Sequence, residues 1–211
     1  MNTVLLLLAD SRFPSGGHAH SAGVEAAVAA GRVSCLSTLE SYLVGRLHTT
    51  GLVSAAFAAA AHTRATQELD EEFDARTPSS AQRLASRRQG KALMRAAQAI
   101  WPVTAFRGDP HLPLALGMTA AAAGLSEVEA AHLAVFHQVT GQASAALRLL
   151  GLSPYDVQAS LVRLAPQCDA VAAQAAANAG KEPAELPMLS SPVADISAEL
   201  HATWEVRLFA S

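Results

Sequence analysis

The sequence predicts an all-α protein, a single-domain helical bundle of roughly eight to ten helices. Three observations carry that prediction. Apolar residues recur at intervals of three and four, in Leu39, Tyr42, Leu43 and Leu47, in Leu133, Phe136 and Val139, and then in Leu147 and Leu150. No segment shows sustained alternation with β-branched residues, so no strand is expected. Much of the apolar content is alanine, which favours helices and lets them pack closely.

The elements follow in order. The apolar run Val4 to Leu8 is far short of the roughly 20 residues needed to span a bilayer, and it lacks a basic leader, so neither a membrane span nor a signal peptide is expected. FPSGGHAHSAGVEAA, Phe13 to Ala27, places a stiff proline and two flexible glycines before a helix expected from about His18 to Gly31. Ser37 with Glu40, and Ser126 with Glu129, have the spacing of capping boxes. Ser153-Pro154 opens another helix, with proline in the first turn. Gly31, Gly124, Gly151 and Gly180 stand where helix C-caps belong. Residues 105–113 and 180–192 read as loops, the second preceding a short helical end and tail over 193–211. Nothing divides residues 1–211 into separate domains.

Hydrophobic residues make up 51% of the 211 and charged residues 16%, with a net charge of −3. The mean hydropathy is +0.23. Such a chain either buries an unusual share of itself or keeps apolar surface for a partner. The balance is not basic enough to track a phosphate backbone, so nucleic acid is not an expected partner. Two cysteines, Cys35 and Cys168, form no CxxC pair and suit a reducing, cytoplasmic setting.

Candidate chemistry is sparse. Gly16-Gly17 fits neither phosphate-loop pattern, and no lysine follows it. His18 and His20 would point roughly 200° apart on a helix, which does not suit one shared metal ion. His132 and His137 are five apart, no HExxH occurs, and no nucleophile motif is present. The acidic run Glu68 to Ala75 precedes Arg83, Arg87, Arg88, Lys91 and Arg95. That basic stripe is either a solvated face paired with the acidic run or a docking face for an acidic partner. The C-terminus holds Trp204, Arg207, Leu208 and Phe209, residue types that either anchor interfaces or pack a last helix onto its own core.

Three of these places together resemble the urease accessory protein UreF family. Its N-terminal pattern, approximately LPxGGFxYSxGLE, stands here as FPSGGHAHSAGVE. Phe13-Pro14, Gly16-Gly17, Ser21, Gly23 and Glu25 match, while His18 and His20 replace aromatics. RQGKAL, Arg88 to Leu93, is similar to a central helix segment of the family, and the end carries its His201 and closing RLFxS. RLLGLSPYDVQ, Arg148 to Gln158, keeps only part of the family's pattern.

The resemblance implies an all-α, usually dimeric, non-catalytic protein with no stably bound cofactor. It bridges the UreD (also called UreH) accessory protein and the UreG GTPase in an assembly that handles nickel and delivers it to apo-urease. A modulating effect on the GTPase is compatible with this, although nothing around Arg12 supports an arginine finger. Carried over by residue, His201, Arg207, Leu208, Phe209 and Ser211 fall on the UreD side, on a tail that orders against that partner. Gly16, Gly17, Ser21 and Glu25 fall on the UreG side. No catalytic or metal-binding residue is expected. The competing expectations are a small α-helical metal-binding protein and a generic helical interaction module.

Overall fold

Side chains that accept from free backbone amides open several of the helices of this chain, those of Asn2, Thr66, Ser79, Ser126 and Ser153. A computed structural model describes residues 2–17 and 20–209, where the chain forms helices and no β-strand. His18 and Ser211, both named above, lie outside the described residues. The helices are α1 (Thr3–Ala9), α2 (Val24–Ala29), α3 (Leu36–Arg46), α4 (Leu52–Thr63), α5 (Gln67–Ala75), α6 (Ser80–Gln98), α7 (Leu112–Ala122), α8 (Glu127–Leu150), α9 (Pro154–Ala176) and α10 (Pro192–Ala202). A π-helical turn, Leu47–Gly51, joins α3 to α4, and a 3-10 turn, Pro183–Glu185, lies between α9 and α10.

Ser126 and Glu129 form the expected capping box on α8, the Ser126 amide donating to the Glu129 carboxylate at 2.7 Å. Ser153 caps α9 and Pro154 is its first residue. Gly31, Gly124 and Gly151 take left-handed φ of 69°, 72° and 61°, whereas Gly180 is not left-handed.

Two expected starts move. α2 begins at Val24 rather than near His18, because Ala22 (φ 49°) and Gly23 (φ 90°) are left-handed and interrupt any helix there. α3 is capped at Cys35 by the Thr38 hydroxyl, which accepts from the Cys35 amide at 3.1 Å. Glu40 serves instead as a tie to α9, accepting from the Ser160 hydroxyl at 2.5 Å and pairing with Arg163.

The core is built around α4, whose sequence LVSAAFAAAAHT is apolar nearly all round and is buried accordingly. α7, α8 and α9 surround it, and α7 is buried from Pro113 to Ala120. Phe57 reaches from α4 into a smaller cluster with Leu69, Phe73, Leu114 and Leu186. Gly90 lets α6 approach the entry to α7, since a Cβ there would lie 2.0 Å from the Pro110 carbonyl oxygen.

The basic stripe resolves toward internal pairing. Arg87 donates to Asp70 at 2.8 Å and to Asp74 at 2.9 Å, and Lys91 meets Asp109 at 3.0 Å. Among the described residues, no helix is long and apolar enough to cross a membrane.

Candidate partner-binding site

The site begins in the loop that follows α1. Phe13 stacks on Trp101 with ring centroids 6.2 Å apart, fixing the start of that loop. Gly17 is exposed and Gly16 half-buried, and Gly16 adopts a left-handed φ of 74° with open space around it. The chain then goes inward. Ser21 is fully buried, and the left-handed Ala22-Gly23 pair turns it into α2. A Cβ on Gly23 would stand 3.3 Å from the Tyr42 hydroxyl, so the turn is both conformationally and spatially suited to glycine.

That turn delivers Glu25 to a buried position. Its carboxylate accepts three hydrogen bonds from the far end of the chain. His201 Nε2 donates to Oε2 at 3.0 Å, the Phe209 amide donates to the same oxygen at 3.0 Å, and the Leu208 amide donates to Oε1 at 2.9 Å. A carboxylate this enclosed is costly unless its oxygens are occupied, and here both are. His201 itself is fully buried and meets the Trp204 ring edge-on at 4.6 Å. Phe209 is buried under the Arg148 guanidinium, whose carbon lies 5.1 Å from the ring centroid.

α10 is held along its inner face. Glu199 accepts from the Ser79 hydroxyl at 2.6 Å and from the Ala81 amide at 2.9 Å, so it closes the start of α6. The Ser79 bond holds the Glu199 carboxyl below the ordinary range. Gln82 Nε2 donates to Asp195 at 3.1 Å, and Arg32 Nη2 donates to the Ser197 hydroxyl at 3.1 Å. Burial pushes the Asp195 carboxyl above its usual value.

The outer face is different. Val193, Ile196 and Leu200, one row at helical spacing, are 57%, 61% and 58% exposed. Beyond the helix, Val206 and Leu208 are 84% and 75% exposed, and Arg207 is exposed beside them. One side of this segment is tied to the core while these apolar side chains stand in solvent on the other.

The structure therefore brings together Glu25, His201, Leu208 and Phe209, with Ser21 directly beneath through a long contact of 3.5 Å from the Glu25 amide. Gly16 and Gly17 make no hydrogen bond to this cluster among the described residues. Glu25 and the tail, expected on two partner faces, form one internal junction. Glu199, Arg32 and Ser197 were not singled out in the sequence; for Glu199 the one available signal was the Ser79-Ser80 pair that needed an acceptor.

A large cavity of about 960 Å³ runs among the α1, α4, α6, α8 and α9 side chains, mostly apolar and including the buried Gln142. Among the described residues, no group of three or more His, Cys, Asp or Glu is placed to hold a metal ion.

The sequence profile of the UreF family matches residues 33–165. The chain belongs to the UreF family. A "Urease accessory protein UreF" of Mycobacterium sp. (strain JLS) is 50% identical over 214 aligned residues, covering 99% of this chain and 98% of the relative. Another of that name, from Mycolicibacterium vanbaalenii, is 46% identical with 98% and 97% covered. The Mycobacterium tuberculosis H37Rv protein is 44% identical with 94% and 93% covered. The family match spans residues 33–165, whereas the first two of these relatives align over 98% or more of this chain, a span that takes in Glu25 and His201. The Glu25–His201 contact thus lies in a part of the chain aligned with two UreF proteins over nearly their full length.

Proposed function

We propose that this chain is the non-catalytic scaffold of urease maturation, joining the UreD (UreH) accessory protein to the UreG GTPase for nickel delivery to apo-urease. It works in the cytoplasm as a homodimer and holds no stable cofactor of its own, nickel being handled by the complex. Any influence on the UreG GTPase is exerted by contact rather than by a catalytic group.

The observation that carries this reading is the exposed row Val193, Ile196, Leu200, Val206 and Leu208 on a segment whose inner face is fully anchored. Leaving five such side chains in water is unfavourable for an isolated protein and suits a surface completed by a partner. UreD is the occupant assigned to it, with Arg207 at its edge. The Gly16-Gly17 loop, exposed at Gly17 and on the opposite side of Glu25 in sequence, is assigned to UreG.

Co-purification of the full chain with cognate UreD and UreG tests this. Ile196→Asp combined with Leu200→Asp should abolish UreD capture while leaving the thermal midpoint of the free chain within a few degrees. Unchanged capture of UreD by that variant would overturn the assignment. Point changes are preferable to removing residues after Ala202, because truncation also deletes buried Phe209 and the amides that satisfy Glu25.

A further inference from the structure

We draw no further inference here: the strongest candidate, the apolar groove between α8 and α9 lined by the exposed Phe136 and Val162, carries nothing because no feature of the structure shows what covers it.

Discussion

Glu25, in the first turn of α2, and His201, in the last turn of α10, meet at 3.0 Å across 176 residues of sequence. The contact turns two separate sequence motifs into one mechanical unit. Glu25 also binds the Leu208 and Phe209 amides, so the short tail after α10 is held by a residue of the N-terminal motif. A change in the first turn of α2 and a change in the tail are therefore felt through the same carboxylate.

Replacing Glu25 by Gln keeps the shape but leaves one oxygen for three donors. One of the buried backbone or imidazole N–H groups must then go without a partner, at a cost of about 1–3 kcal/mol. The first consequence is expected in the tail, with faster amide exchange at Leu208 and Phe209 relative to the α4 amides. Hydrogen-exchange mass spectrometry measures this. Equal protection of the tail in both proteins would mean that packing of Phe209 and Arg148, rather than Glu25, holds it.

Arg87 provides the second prediction. Asp70 is fully buried, and its oxygens are taken by the Arg87 guanidinium and the His111 amide. Arg87→Met leaves that carboxylate with only the amide, and the cost is about 3–5 kcal/mol. Arg88→Met, without such a carboxylate to satisfy, should cost under about 0.5 kcal/mol. Urea unfolding of the two variants separates a structural stripe from a docking one. Similar midpoints would remove the case for a structural role.

The helices were legible because their signals are local. Ser126 with Glu129, and Ser153 with Pro154, act within one turn, and the apolar periodicity of α4 and α8 needs no knowledge of the fold. The misplaced starts have different causes, the left-handed Ala22-Gly23 pair before α2 and a competing tertiary contact at α3. Ser37 and Glu40 have capping-box spacing, but Ser160 and Arg163 of α9 compete for Glu40, and no sequence window contains both. At the site, the important residue types were visible, and their junction was not. Glu25 was named only through its place in the N-terminal pattern, and it is the fold that puts His201 and two tail amides on it.

Two histidines, His137 and His111, contribute to the pH response. His137 donates from Nε2 to the Leu8 carbonyl at 2.9 Å, and burial pulls its pKa below the ordinary value. Burial also lowers His111, against the opposing bond to Asp74. Each therefore folds neutral, and between its depressed folded pKa and the ordinary value of about 6.5 the unfolded chain binds more protons. Stability is complete above about pH 6.5 and falls as pH drops below it, by at most about 1.4 kcal/mol per pH unit for each group. Asp195, raised by burial, has the opposite sign, so a total stability curve would mix the two. Comparison with His137→Gln isolates one term. The variant still has an amide to donate to Leu8 but no proton to gain, so the wild type's advantage in urea unfolding should shrink from pH 7.5 to pH 5.5. An advantage that stays constant across that range would show that His137 does not titrate differently in the folded and unfolded chain.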